Sequence, residues 1–155
     1  MQQEPTITFA LEPVGCGATL TSITTRVGSC SGVYDLWTSN AAFIASTSAT
    51  VRNPATWTKV VASYHANRVG AFDTISGIAI SLPADVRTGI SVVCQVGSLG
   101  RGNAGAQDAM TLNAGGANVK YYGFGMGISS GDPPSGTIQY PSAFLGGFAI
   151  VAASS

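Results

Sequence analysis

Charged side chains are scarce in this sequence. Lysine, arginine, aspartate and glutamate make up 9% of its 155 residues, against about 25% in ordinary soluble domains. The seven basic and seven acidic residues balance to a formal net charge of zero and are scattered singly. Without a run of lysine or arginine, the chain lacks the electrostatic footprint of a nucleic-acid-binding protein, and no basic amphipathic segment indicates a membrane surface. The polar surface must consist of serine, threonine, asparagine, glutamine and glycine, which cost little to desolvate in an interface.

Long apolar runs are also missing. The longest, from Phe144 to Ala153, is too short to cross a bilayer. The opening residues, Met1 to Pro5, have neither the basic start nor the apolar run of a signal peptide. We therefore expect residues 1–5 to be a linker or N-terminal tail that enters one domain over residues 6–155. Such an opening fits an intracellular product, a virion protein or a piece of a longer chain.

Cysteine is rare, and its spacing excludes the common metal and redox motifs. The chain has three cysteines and no CxxC pair, so a zinc ribbon or a thioredoxin-like site is not expected. Cys16 and Cys30 lie in turn-like sequence beside glycine or serine, and we expect them as a possible disulfide if the compartment is oxidising. Cys94 lies in the apolar run from Ile90 to Val96. This position predicts a buried, inert thiol.

Catalytic constellations are missing as well. His65 is the single histidine, and no Gly-x-Ser-x-Gly elbow supplies a nucleophile for it. Asp35 and Asp108 are the most interesting acids for a glycosidase pair, but nothing in the sequence brings them together. The glycine-rich stretch from Gly100 to Gly105 lacks the Gly-Lys-Ser/Thr ending of a phosphate-binding loop. We therefore expect no enzyme, no cofactor and no metal site.

What the sequence does contain is hydrophobic alternation with a period of two. Ile7, Phe9 and Leu11 alternate with threonine and alanine, and comparable patterns cover 78–82, 90–96, 119–128 and 144–152. Glycine and proline separate nearly all of these segments. The pattern predicts an all-β domain, an antiparallel β-sandwich or jelly roll of roughly eight strands.

One segment favours a helix over a strand. From Pro54 to Asn67, the residues Trp57, Val60, Val61 and Tyr64 fall at helical spacing. Asn53 is a suitable N-cap, and proline is favourable at the first helical position. We expect one short helix here, with a strand across Trp57 to His65 as the alternative.

Several residues are candidates for binding. As a strand, the stretch from Tyr121 to Ile128 places Gly123, Gly125 and Gly127 on one face, where a loop, a neighbouring subunit or a ligand could approach closely. Two further candidates are Trp37, whose ring could stack on a sugar, and Arg101, which could contact a carboxylate or carbonyl group of a partner. Tyr121 completes the candidate set.

The order of two segments resembles viral coat proteins of the jelly-roll family. Trp57 to Val69 precedes Ile75 to Pro83, as an apolar helix with a tryptophan and a tyrosine precedes a strand in those coats. The resemblance covers about thirty residues, and the basic genome-binding arm of small RNA-virus coats is absent. It implies a virion location and a coat, spike or fibre-head domain that assembles with itself, as a trimer or a larger shell, and binds a host receptor or glycan. The alternative is a secreted carbohydrate-binding module or lectin that uses Trp37, Trp57 or the tyrosines as stacking platforms.

Overall fold

Strands form every regular element of the described residues, and no helix occurs among them. The computed structural model describes residues 2–39, 57–103, 110–114, 117–122, 124–128, 138–144 and 146–153. Its strands are β1 (Gln2–Glu4), β2 (Thr6–Pro13), β3 (Ala18–Arg26), β4 (Val33–Ser39), β5 (Trp57–His65), β6 (Asn67–Val69), β7 (Phe72–Ile75), β8 (Ile80–Leu82), β9 (Thr88–Cys94), β10 (Leu99–Asn103), β11 (Met110–Ala114), β12 (Ala117–Tyr122), β13 (Phe124–Ile128), β14 (Ile138–Phe144) and β15 (Gly146–Ala152). The all-β class predicted from the alternating pattern is confirmed.

The strands form two antiparallel sheets. The large sheet has the order β1-β10-β14-β13-β2-β9-β4-β5, with β12 also paired to β2 and β11 paired to β12. The small sheet has the order β15-β3-β7-β6, with β8 also paired to β3. Residues 2–4, expected from the sequence as part of a tail, form strand β1 and pair with β10.

One apolar core gathers side chains from both sheets. Ile7, Phe9 and Leu11 of β2 are fully buried and meet Leu20 and Ile23 of β3 in the same cluster. The residues between them on β2 are not exposed either, since Thr6, Thr8 and Ala10 have no accessible surface. On that second face, the Thr8 and Ser91 hydroxyls satisfy each other at 3.1 Å. Burial of both faces explains why the alternating residues there are small or bear a hydroxyl group.

The helix predicted for Pro54 to Asn67 is wrong over the described part of that segment, which forms strand β5; residues 54–56 lie outside the described residues. The pairing of β4 with β5 shifts register twice. Each shift inserts an extra residue on β5 and interrupts the period of two. As a result Trp57, Val61 and Tyr64 are the less exposed residues of the strand. A strand with two bulges therefore reproduces the spacing of an amphipathic helix.

The disulfide lies elsewhere than predicted. Cys30 is bonded to Cys94, 64 residues further along the chain, and Cys16 is exposed and unpaired. The predicted bond between Cys16 and Cys30 is wrong because strand β3 separates them. Its nine residues span about 30 Å, far beyond the reach of a disulfide.

The prediction that Cys94 is an inert free thiol is also wrong, because the fold brings Cys30 beside it. Strands β4 and β9 are neighbours, with Tyr34 opposite Cys94. The loop before β4 therefore comes to the end of β9. Backbone bonds fix it there: the Cys30 amide donates to the Ser98 carbonyl at 3.0 Å, and the Ser31 amide donates to the Val96 carbonyl at 2.9 Å.

Candidate functional site

Most charged side chains that the structure describes are neutralised within the molecule. The strongest case is Asp73 of β7, which is fully buried. Arg68 of β6 donates to it twice, from Nε to Oδ1 and from Nη2 to Oδ2, both at 2.8 Å. The Tyr34 hydroxyl of β4 donates to Oδ2 at 2.6 Å. This cluster joins the two sheets through one carboxylate.

The cluster shifts the pKa values of its members in opposite directions. Burial by itself raises the pKa of Asp73, but the hydrogen bonds from Arg68 and Tyr34 and the positive charge of Arg68 outweigh it, so the pKa is lowered. Burial, together with the hydrogen bond to Asp73 and its negative charge, raises the pKa of Tyr34. A carboxylate with its acceptors filled and a tyrosine held protonated carry out no acid–base chemistry near neutral pH, so this cluster is structural.

A second cluster surrounds Asp35, one of the acids considered for a glycosidase. Oδ1 accepts from the Ser63 amide at 2.8 Å and from Gln95 Nε2 at 2.9 Å, and Lys59 Nζ lies 3.6 Å from Oδ2. Burial raises the pKa of Asp35, but the bonds from Ser63 and Gln95 and the charge of Lys59 lower it overall. Asp108, its suggested partner, lies outside the described residues.

Trp37 belongs to the same surface. Lys59 Nζ lies 5.1 Å from the centre of the Trp37 ring, and the indole Nε1 is buried without an acceptor. The Lys59 ammonium thus makes a cation–π contact with the Trp37 ring. Trp57, the other tryptophan, is buried.

Glu12 forms the third cluster. It lies 3.8 Å from Arg87 Nε and 3.6 Å from Lys120 Nζ, and Arg87 stacks 3.8 Å from the centre of the Tyr122 ring. Asp85, the fourth acid whose side chain the structure describes, accepts from the Gly15 amide at 3.1 Å. All four of these acids therefore have internal partners.

Arg26 differs from the other basic residues whose side chains the structure describes, because no acid with a described side chain forms an ion pair with it. It lies opposite Phe72 in the β3–β7 pairing, with its guanidinium carbon 5.6 Å from the Phe72 ring centre. Its Nε is buried and has no acceptor. Phe72 itself is 38% exposed.

Arg26 and Phe72 line a groove on the outer face of the small sheet. The groove has a volume of about 480 Å³, and its remaining lining residues are Thr24, Gly146 and Gly147. We call the surface lined by these five residues the outer groove. A second cavity, of about 490 Å³, lies between β5 and the segment 77–81 and is lined by Thr38, Val60, Val61, Tyr64, Gly77, Ile78, Ala79, Ile80 and Ser81.

The residues predicted to bind are not brought together. Trp37 is in β4, Arg101 in β10 and Tyr121 in β12. The Tyr121 ring packs 6.0 Å from Phe9 and 5.4 Å from Phe148, and burial raises its pKa to about 12. It contributes to the edge of the core.

The glycine-lined face is described only in part. Gly125 and Gly127 lie in one strand, β13, opposite Ser142 and Tyr140 of β14. Gly127 also pairs with Ile7 of β2. Gly123 lies outside the described residues. The expectation that something approaches this face stays a prediction.

Sequence reasoning missed Arg26 and Phe72. They are 46 positions apart in the sequence and become neighbours only through the β3–β7 register. The alternation that makes β3 a strand does place Thr24 and Arg26 on one face. Nothing in the sequence identifies which strand lies beside them.

Comparisons with protein-family models, with curated proteins and with solved structures found no match to this chain. In the described parts of the chain, no helix has the length and hydrophobicity needed to cross a membrane. No group of three or more histidine, cysteine, aspartate or glutamate residues is placed to hold a metal ion within those parts.

Proposed function

We propose that this protein is a virion structural protein, a coat, spike or fibre-head domain that assembles with itself as a trimer or a larger shell. Its two sheets would then be the layers of a jelly-roll sandwich. The observation that carries the proposal is the internal neutralisation of charge: the acids Glu12, Asp35 and Asp73 are all paired with bases of the same chain.

The reason is the free energy of desolvation. An unpaired surface ion must lose its hydration when a neighbouring subunit covers it. This desolvation costs on the order of several kcal/mol unless a partner charge compensates. A surface made of hydroxyl, amide and backbone groups, with its ions already paired, avoids most of that cost. Interfaces are depleted in charge at their centres for the same reason.

The disulfide between Cys30 and Cys94 supports the location. Disulfides form and persist on virion surfaces and in extracellular fluids, and they are rare in reducing cytosol. A virion, or alternatively a secreted protein, fits this bond.

The free edge of β5 is not the proposed contact. Among the described strands, this nine-residue strand pairs with β4 alone, but its two register shifts and the left-handed backbone of Ser63, with φ of 52°, disturb the edge. Bulges of this kind prevent edge-to-edge pairing. We therefore propose that subunits meet through side chains on the sheet faces.

The test is the solution mass of the disulfide-bonded chain, whose monomer mass is 15.6 kDa, by light scattering coupled to size exclusion. A trimer or larger species is expected. Single valine-to-glutamate changes at exposed positions on separate parts of the surface, Val69, Val96 and Val151, locate the contact: the change at the interface gives a folded monomer. A wild-type chain that stays monomeric at high concentration contradicts the proposal.

A second candidate function is that of a secreted carbohydrate-binding module. The observation that favours it is the outer groove, where a half-exposed phenylalanine ring lies beside a threonine and two glycines. Of the stacking platforms expected from the sequence, Trp57 gives it less support because it is buried, whereas Trp37 has Lys59 over its ring as Phe72 has Arg26. Retention on a glycan matrix by a monomer would support this function over assembly.

A further inference from the structure

We propose that the outer groove binds a carboxylate-bearing sugar residue, with Arg26 pairing with the carboxylate and the Phe72 ring stacking on the sugar ring. This inference rests on the second candidate function and adds the chemical class of the ligand. It does not depend on self-assembly.

Charge distinguishes Arg26 from Arg87. The chain contains two described arginines that stack on an aromatic ring, Arg26 over Phe72 and Arg87 over Tyr122. Arg87 is neutralised by Glu12, whereas Arg26 forms no ion pair with the acids whose side chains the structure describes, and its buried Nε lacks an acceptor. Among the side chains that the structure describes, no acid neutralises the positive charge of Arg26, and Arg26 lines the groove. Carboxylates fit the planar fork of a guanidinium group with two parallel hydrogen bonds.

The outer groove has an open floor at Gly147. Gly147 lies opposite Thr24 on the outer face, and a Cβ atom built there has nothing within 4 Å. The floor of the groove is therefore flat and open beside the aromatic ring. A volume of about 480 Å³ lies within the range of small-ligand sites, roughly 300–1,000 Å³.

The outer groove combines an aromatic ring with a hydroxyl group. A sugar ring presents an apolar C–H face, which suits the negative face of an aromatic ring, and a rim of hydroxyl groups. Phe72 supplies the ring. The Thr24 hydroxyl, already bonded to Thr74 Oγ1 at 3.1 Å, keeps a lone pair free for a ligand hydroxyl, because each hydroxyl oxygen accepts twice and donates once. A peptide carboxylate would pair with Arg26 but would use neither the Phe72 ring nor the Thr24 hydroxyl.

The experiment titrates the isotope-labelled, disulfide-bonded chain with methyl glucuronide and with methyl glucoside, and follows amide shifts by NMR. The two sugars differ only in a carboxylate against a hydroxymethyl group. We expect the glucuronide to bind about tenfold more tightly, as one charge-assisted contact provides, and to lose this advantage as salt is added. Shifts should concentrate on β3, β7 and β15.

Variants with matched controls test the residues. Arg26→Gln should remove the preference for the glucuronide, whereas Arg87→Gln, at the arginine already neutralised, should keep it. Gly147→Leu should abolish binding of both sugars by filling the open floor, whereas Ala149→Leu, at an exposed position on the same strand outside the groove, should not. Unchanged amide spectra outside the groove confirm that each variant is folded.

The outcomes separate the inference from the function on which it rests. Equal binding of both sugars overturns the role of Arg26 and leaves the carbohydrate-binding function standing. Binding of neither sugar overturns both. If benzoylglycine, a carboxylate without a sugar ring, binds as tightly as methyl glucuronide, the site recognises a peptide-type carboxylate and the assignment to a sugar is wrong.

Discussion

Two neighbouring glycines of β15 have opposite requirements. A Cβ atom on Gly146 would collide with the backbone carbonyl of Thr24 and with the Phe144 ring, whereas one on Gly147 would meet nothing. Both glycines line the outer groove, but the Cβ position of Gly146 is occupied by Thr24 and Phe144, whereas that of Gly147 is open space. Packing therefore excludes a larger side chain at Gly146 but not at Gly147.

We therefore expect Gly146→Ala to lower the free energy of unfolding by about 1–3 kcal/mol, since the Thr24 backbone must move. Gly147→Ala should be neutral or should stabilise the protein by up to about 1 kcal/mol, because alanine loses less conformational freedom in a strand than glycine does. Urea unfolding of the two variants measures the difference. Equal losses in both would show that Gly146 is not closely packed.

At the same scale, the two buried aspartates respond differently to loss of their bases. Arg68→Met leaves Asp73 as a buried charge and should cost about 3 kcal/mol at neutral pH. Lys59→Met should cost less than about 1 kcal/mol, because Lys59 is 38% exposed and Asp35 keeps its bonds from Ser63 and Gln95. Chemical denaturation measures the free energy of unfolding of both variants. A larger loss in Lys59→Met than in Arg68→Met would contradict this expectation.

The pH dependence follows from the same contacts. The pKa values of Asp35 and Asp73 are lowered by folding, so their contribution to stability is complete above the unfolded value of about 3.9 and is lost as the pH falls through the lower folded values. The melting temperature of the wild type should therefore fall below about pH 4. The difference in melting temperature between wild type and Arg68→Met should become smaller over the same pH interval, because a protonated Asp73 needs no cation. A difference that stays constant in acid would rule out Asp73 as the titrating group.

At the scale of elements, the disulfide attaches the loop before β4 to the end of β9. The bond closes a loop of 64 residues, and the chain-entropy model gives about 4 kcal/mol for a closure of this length. Gly97 allows the close approach: its φ is +104°, and a Cβ there would collide with the backbone of Ser29 and Cys30.

We expect the Cys30→Ala, Cys94→Ala double variant to unfold at a lower denaturant concentration, by the equivalent of about 4 kcal/mol, and to lose all sensitivity to reducing agents. Cys16→Ala is the matched control and should change neither property, because Cys16 is exposed and unpaired. Sensitivity to reduction that follows Cys16 instead of Cys94 would refute the bond.

At the scale of the whole molecule, a surface with paired ions should give an association that salt hardly changes. If subunits meet through uncharged groups, the association constant should vary less than about twofold between about 0.05 M and 0.5 M sodium chloride, because there are no interfacial ion pairs to screen. Sedimentation equilibrium at both concentrations measures this. A strong decline with salt would indicate a charged interface and would contradict the argument from neutralisation.

The sequence by itself determined the class of fold and the character of the surface. Alternation in Ile7, Phe9 and Leu11 and in Ile90, Val92 and Cys94 specifies strands with a buried face, because the period of two is a local property of extended backbone. The same local logic failed for β5, where two bulges changed the period. Composition determined the low charge, since counting needs no coordinates.

Only the tertiary structure decided which residues meet. The bond from Cys30 to Cys94, the contact of Arg68 with Tyr34 through Asp73, and the stacking of Arg26 on Phe72 all depend on which strands are neighbours and in which register. Those choices are made by packing side chains that are distant in sequence into one core, and a periodic pattern carries no label for its partner strand. The outer groove has the same origin, since its five residues come from three strands joined only by the fold.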